Sequence, residues 1–420
     1  MASYTVAHAD LEQIQRIGGA DLVIGILAPE KEDVGGFPGA VQQALSTLKT
    51  GVRSVVLCKG VTTKATLSDP PPPQIGEAST VAFLNLAEPE TASTSFQNLL
   101  ESYQAVLTVS GKLGARACGV IGSELRMPSA QSVIYHLIQP LLELGFDLVM
   151  PRYDRPTMEG LLNRSILAPL SRALYGERFQ NPMGPDFGLS GKLLQRTIEP
   201  DHGKSRGYQV HPVACIASTA VCEGFQICES YLGMHAQLAT HGNDLSSLLA
   251  AVLGPVFLDI EQKATFWQRI RGSKPVAWFG SPEPVSGERG AVNVQRMIES
   301  FQLGTQNLQG IWGNILPPTT LLDLKKLARL PAADFRMPDD LWASMIYDFV
   351  LGHRLRTISR DHLLRSMTPL YLGWIASYSI EMECAGPREV ESRLEQLSAV
   401  FEAKKPYLLS RWRWPDRFNP

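Results

Sequence analysis

The sequence predicts an α/β protein: a doubly wound, mostly parallel sheet followed by a mainly helical C-terminal region. Three observations carry that expectation. Short apolar runs rich in β-branched residues alternate with segments of helical spacing through roughly residue 150, the pattern of strands buried on both faces between crossover helices. Pro- and Gly-containing stretches punctuate the runs, and such residues interrupt regular structure. Beyond Trp278, apolar positions recur every three to four residues, as they do along the buried face of a helix.

Ala20 to Leu27 (ADLVIGIL) reads as a buried strand, Gly39 to Leu48 as a helix and Ser54 to Cys58 (SVVLC) as a second strand. Together they form a β-α-β unit. Asp69 to Gln74 (DPPPPQ) reads as a stiff polyproline loop. Thr80 to Leu84 is a third strand, Phe96 to Leu113 a helix, Ala117 to Ile121 (ACGVI) a buried strand, Val133 to Leu144 a helix and Phe146 to Met150 (FDLVM) a further strand. From Asp154 to about Leu258, helix and glycine-rich loop mix, and this stretch is expected to belong to the same domain. Trp342 to Leu355 and Arg388 to Phe401 read as helices, and GSPEPVSGERG (280 to 290) as a linker. The expected organisation is an extension at 1–19, a sheet domain at 20–278 and a helical region at 279–420.

The chain has 420 residues, 44% hydrophobic and 19% charged, enough apolar material for a sizeable core. Lys and Arg number 39 against 41 Asp and Glu, a formal charge of −2, which points away from nucleic acid or an anionic membrane as a partner. The six cysteines form no C-x-x-C pair and no zinc-type spacing. Several stand in apolar runs as small buried hydrophobes, and a reducing, cytoplasmic compartment is expected. The N-terminus lacks a basic stretch followed by an apolar one, so no signal peptide is expected. The apolar stretch SLLAAVLGPVFLDI reads as too short to span a bilayer, and SVIYHLIQPLLELGFDLVM carries polar residues, so no transmembrane segment is expected.

In a doubly wound sheet, ligands bind beyond the carboxyl ends of the strands. Directly after the ACGVI strand stands Gly122-Ser123-Glu124-Leu125-Arg126, in which Glu124 supplies one carboxylate. Asp154 and Arg155 follow the FDLVMP run, where they read either as a surface ion pair or as holders of a sugar hydroxyl and a phosphate. Arginine suits phosphate because its planar fork meets two oxygens at once. Asp186 precedes Phe187-Gly188 in what reads as a glycine-rich turn, a place where Asp also caps its own backbone.

The stretch Pro151-Arg152-Tyr153-Asp154-Arg155-Pro156, the triplet Asn163-Arg164-Ser165 and the block PLSRALYGERFQNPMGPDFGLSG (169 to 191) resemble a bacterial GT-A glycosyltransferase group. That group is the one of mannosylglycerate synthase and glucosyl-3-phosphoglycerate synthase. Its members show runs similar to P-L-x-R-A-L-Y-G and Q-P-x-G-G-D-F-G-x-S. SRDHLLRSMTPLYLGWIASY (359 to 378) and KKPYLLSRW (404 to 412) are similar to the same group. The resemblance implies a GT-A-like fold, with 20–278 as the nucleotide-sugar and acceptor domain. It implies transfer of a hexose from a UDP- or GDP-sugar to a small acceptor such as a glycerate-type acid, with retention of configuration. A divalent metal, Mn²⁺ or Mg²⁺, would bridge the donor diphosphate.

Residue by residue, the resemblance is incomplete. Where the group carries an Asp after the second strand, this sequence reads Leu57-Cys58-Lys59-Gly60. Its Asp-x-Asp motif corresponds to Gly122-Ser123-Glu124, which keeps one acid. Its Gly-x-Asp motif falls at His211-Pro212-Val213, without the Asp, and its metal-binding His near Gln237, flanked by His235 and His241. Asp186 matches. The resemblance therefore implies Asp186 and Glu124 as catalytic and Glu124 with His235 as metal ligands, while charge and position at the strand ends make Lys59, Arg126, Arg155 and Asp154 the candidates around the diphosphate and sugar, with Lys59 replacing a lost metal charge. With a thinned donor set, metal dependence is expected to be weak or absent. The alternative is a homologue that has lost turnover and acts as a binding, regulatory or assembly partner, as a homo-oligomer or paired with an intact relative.

Overall fold

The structure, a computed structural model, describes residues 15–27, 37–48, 51–59, 80–86, 95–122, 130–199, 212–234, 244–281 and 293–413. The polyproline run, Glu124, Arg126, His211, His235, Gln237, His241 and almost all of the expected linker lie outside these residues. The chain divides into two compact units. One comprises Met1–Asp154, Gln180–His241 and Val276–Val285; the other comprises Arg155–Phe179, Gly242–Pro275 and Ser286–Pro420. Residues 155–179 and 242–275, read from sequence as part of the sheet domain, thus cluster with the C-terminal helices.

Among the described residues the strands are β1 (Leu22–Ile26), β2 (Arg53–Lys59), β3 (Thr80–Leu86), β4 (Ala117–Ile121), β5 (Leu148–Asp154), β6 (Glu177–Arg178), β7 (Asp186–Ser190), β8 (Ile227–Met234), β9 (Lys274–Pro275) and β10 (Ala277–Phe279). Eight form one sheet in the order β10-β8-β5-β7-β4-β1-β2-β3. Every neighbouring pair in it is parallel except the two that β7 makes. The α/β, mostly parallel architecture read from the sequence is the one observed. All five residues of β1 and all five of β4 are buried, as an interior strand covered on both faces demands. Helices Phe37–Ser46 and Ala130–Glu143 cover one face through Ala40, Val41, Val133 and Leu137. Helix Ser95–Lys112 packs on β1 and β4 from the other.

β7 departs from the sequence expectation. The glycine-rich segment around Asp186 is a buried antiparallel strand wedged between β4 and β5, and no turn. Its glycine serves close approach. A Cβ at Gly188 would stand 2.9 Å from Leu141 Cδ1 and 3.0 Å from the Leu137 carbonyl, so the strand lies flush under helix Ala130–Glu143. The start of β5 is fixed by Asp147, whose carboxylate accepts from the Ser190 hydroxyl at 2.7 Å and the Gln226 N–H at 3.1 Å. β5 itself runs four residues past the expected end, to Asp154.

In the helical unit, Trp342, Trp374 and Tyr378 stack in series, with centroid separations of 5.9 and 5.1 Å. The Trp342 indole N–H donates to the Ser165 carbonyl. β6 and β9 pair as a short parallel ribbon. Helix Leu245–Gln262, with 18 residues, is by length and composition long and apolar enough to cross a membrane, which its apolar run alone did not suggest. It carries the buried Asp259, which is bonded to Tyr175 and paired with Lys263, and it packs on helices Asp339–Leu355 and Arg360–Arg365. The last helix, Pro387–Arg413, extends well past the expected Phe401. Its buried stripe continues through Leu408 and Trp412, but one stripe position is Lys405. That side chain is buried along its stem and donates from Nζ to the Ile270 carbonyl at 2.9 Å, a snorkelling arrangement that breaks the apolar pattern.

Candidate functional site

Strand order reverses between β1 and β4: β2 and β3 lie to one side of that boundary, β7, β5, β8 and β10 to the other. Such a switch point leaves a crevice outside the carboxyl ends of the two strands. Because β7 is antiparallel, its first residue, Asp186, reaches this same edge, opposite Ile121 at the end of β4.

There the Asp186 carboxylate is fully buried. Its Oδ1 accepts the Gly122 N–H at 2.9 Å and its Oδ2 accepts the Tyr153 hydroxyl at 2.6 Å. The Gly122 N–H also reaches the Pro185 carbonyl at 3.1 Å, which accepts the Tyr103 hydroxyl at 2.7 Å. Only glycine fits at 122: a Cβ would collide with the Tyr103 hydroxyl and stand 2.7 Å from the Pro185 oxygen. Burial, and secondarily the Asp186 charge, pushes the Tyr103 phenol well above its ordinary pKa, so it remains a donor. The exit of β4 is therefore held by a carboxylate and two tyrosines.

A second cluster occupies the ends of β5 and β8. Glu229, paired in register with Met150 and Trp278, is fully buried inside β8. Its carboxylate accepts the Gln180 N–H at 2.6 Å and faces Arg152 Nη1 at 3.3 Å. Burial pushes its pKa up to about 7, against the opposing pull of Arg152 and the N–H groups of Gln180 and Asn181. The Arg152 guanidinium lies 5.0 Å from the ring centroid of Trp278, itself 46% exposed, a cation–π pair at the sheet edge. Beside it the Tyr231 hydroxyl donates to Asp154 Oδ2. Alternation along the strands sets Arg152, Asp154, Glu229, Tyr231 and Trp278 on one face, while Val149, Tyr153, Cys228 and Leu232 join the core under helix Ala130–Glu143.

Of the residues singled out from sequence, Asp186 and Asp154 belong to the sheet unit and lie at the carboxyl edge. Lys59 is the last residue of β2, in register with Leu86, which sets its backbone on the same edge. Arg155 begins the helical unit, where its side chain covers Gly160. Nearby, Arg164 sits in a π-helical turn, Asn163–Leu167, and its Nη1 reaches the Pro156, Thr157 and Glu159 carbonyls at 3.3 to 3.5 Å. Burial lowers the Arg164 pKa; Arg155 acts in the same direction, and Tyr378 and Glu391 oppose it. π-turns of this kind recur at functional positions. Sequence reading assigned no role to Glu229, Arg152, Tyr153 or Tyr103, although Arg152 and Tyr153 stand in the stretch 151–156 that carries the resemblance. The signal for Glu229 was present: one acid inside the strand ICESYLGM.

No protein-family model and no curated protein matches the sequence. Among solved structures, the chain is similar to glucosyl-3-phosphoglycerate synthase from Mycobacterium tuberculosis in complex with Mn²⁺, UDP and phosphoglyceric acid. The identity is 19% and the TM-score 0.36, covering 59% of this chain and 81% of that one. The same enzyme in complex with UDP matches with 19% identity and a TM-score of 0.36, over 61% and 84% of the two chains. A structure described as a mycobacterial protein matches with 19% identity and a TM-score of 0.34, over 62% and 80%.

The described residues do not form a metal site. Among them no three His, Cys, Asp or Glu side chains converge. Both oxygens of Asp186 already accept hydrogen bonds from Gly122 and Tyr153, and Glu229 is tied to Arg152.

Proposed function

We propose that this chain is a nucleotide-sugar-dependent glycosyltransferase-like protein of the GT-A type. Its reaction would move a hexose from a UDP- or GDP-sugar to a small acceptor of the glycerate-acid kind. The observation that carries the reading is the reversal of strand order at β1 and β4, with the β4 exit fixed by a buried carboxylate at that edge. A crevice of this kind accepts a nucleotide, and the block from 169 to 191 resembles that of sugar transferases.

In the transfer, the bond from the anomeric carbon to the diphosphate oxygen breaks and the nucleoside diphosphate leaves with the electron pair. A bond from the acceptor oxygen to the anomeric carbon forms, and the acceptor hydroxyl's proton passes to the departing diphosphate oxygen. Lys59 and Arg126 are the cations assigned to the leaving diphosphate, and Asp154 to a sugar hydroxyl. Glu124 is the carboxylate assigned to the reacting centre.

A second reading is favoured by a specific feature of β2. The strand ends on Cys58 and Lys59, with no carboxylate to meet a nucleoside, and burial pushes the Cys58 thiol up to about 11, which leaves it unionised. On this reading the protein binds a sugar nucleotide, or an intact homologue, without turning it over.

One experiment separates the two. Purified protein is titrated with UDP-, GDP- and ADP-sugars, with and without Mn²⁺, following thermal stability and free nucleotide. A ligand at 100 times its Kd stabilises the fold by about 2.7 kcal/mol. If no donor shifts the melting temperature, the transferase reading fails. Donor hydrolysis abolished by Glu124→Ala overturns the inactive reading, and saturable binding without nucleotide release supports it.

A further inference from the structure

We propose that Asp186 is a positioning residue, acting through the Gly122 N–H on the β4 exit, and takes no direct part in catalysis. The inference rests on the transferase reading and assigns a role within that same site.

The geometry leaves the carboxylate little else to do. It is fully buried, and each oxygen has a donor: Gly122 N–H on one, Tyr153 O–H on the other. The Tyr153 ring is anchored in the core beneath helix Ala130–Glu143. The Pro185 carbonyl, one residue before Asp186, takes the Gly122 N–H and the Tyr103 hydroxyl. Tyr103, which stacks on Phe187 at 5.6 Å, belongs to helix Ser95–Lys112 on the opposite face of the sheet. The first residue after β4 is thus gripped from both faces of the sheet, and glycine is the residue that admits the grip. Gly122 is the first residue beyond β4, so this grip sets the direction in which the chain leaves the strand at the crevice edge.

A group that acts by hydrogen-bond acceptance and one that acts by charge respond differently to Asp186→Asn. Asparagine keeps an oxygen for the Gly122 N–H, and the Tyr153 hydroxyl can rotate to accept from the amide. A base or nucleophile has no such substitute.

The test measures Asp186→Asn, Asp186→Ala and Tyr153→Phe in the full chain. Three readouts apply: hydrogen exchange of the peptide spanning residues 117–129, sugar-nucleotide affinity, and kcat and KM against pH. Positioning predicts that Asp186→Asn keeps kcat within about tenfold, the scale of one weakened hydrogen bond, with an unchanged pH profile and near-native exchange. Tyr153→Phe is expected to raise exchange at Gly122 and lower kcat more than it raises KM, and Asp186→Ala to do both more strongly. Should Asp186→Ala fail to fold, Tyr153→Phe, which removes one hydroxyl, still decides the matter. A loss of roughly 100-fold or more in kcat for Asp186→Asn with native exchange, the signature of a lost acid or base, overturns the proposal. So does native exchange at Gly122 in Tyr153→Phe. If the wild-type protein binds no sugar nucleotide, the transferase reading and the catalytic role built on it fall together, while hydrogen exchange still reports whether the grip on Gly122 exists.

Discussion

Replacing Glu229 by Gln should change how stability depends on pH, with a sign and size set by the structure. Glu229 is fully buried in β8, and its pKa is raised from 4.5 to about 7 by burial. A raised carboxyl pKa means that the folded state holds a proton which the unfolded chain has already released. The resulting stability is fully present below about pH 4.5 and is lost as pH rises through about 7. At about 1.4 kcal/mol per pH unit, holding the ionised carboxylate in place above pH 7 costs on the order of 3 kcal/mol. Gln keeps an acceptor oxygen for the Gln180 N–H but does not titrate. Relative to wild type, the Glu229→Gln protein should therefore gain on the order of 2–3 kcal/mol between pH 5 and pH 8. Urea unfolding of both proteins at pH 5, 6, 7 and 8, followed by circular dichroism, gives that difference directly, and titrations elsewhere cancel in it. A difference that stays constant across the four pH values refutes the buried-carboxylate argument.

Other outcomes follow from the same geometry. Gly122→Ala forces a methyl against the Tyr103 hydroxyl and the Pro185 carbonyl and should destabilise by about 2–3 kcal/mol, as overpacking does; chemical denaturation of the sheet unit checks it. In the helical unit, Arg411 pairs with the buried Asp348 at 2.6 Å, and burial pushes the Asp348 pKa up to about 7. Arg411→Met should cost about 3 kcal/mol at pH 8, where Asp348 loses its counter-charge, and less at pH 6, where protonation relieves it; thermal melts at the two pH values compare them. Among the described cysteines, exposed Cys384 should react first with a thiol reagent, because Cys118 and Cys228 are buried and pushed up to about 12. Mass spectrometry of a labelling time course reads the order.

Much of the sheet was legible because its strands are near-continuous apolar runs. β1 and β4 lie within one or two residues of the ranges their composition predicts, since strands covered on both faces have no polar side to show. β7 was not legible. In Gly184-Pro185-Asp186-Phe187-Gly188, glycine and proline signal a turn locally, whereas the glycine at 188 answers to the helix above it, whose Leu141 Cδ1 would stand 2.9 Å from any Cβ there. The last helix continues past Phe401 although its next stripe position is Lys405, whose Nζ donates to the Ile270 carbonyl, and although Pro406 follows inside the helix, two local signals that run against its continuation.

The sequence by itself determined the class of the fold and the identity of residues with chemistry to offer, because periodicity and residue type are local properties. The tertiary structure decided which of them meet. Asp186 and Gly122 are 64 residues apart, yet they share a hydrogen bond across the β4–β7 ladder. Glu229 and Arg152, 77 apart, become partners only when β5 and β8 lie side by side. Whether a carboxylate is an acceptor held in the core or a group presented to a ligand depends on its burial and its donors. Both are fixed by strands that are remote in the chain, and no local pattern encodes them.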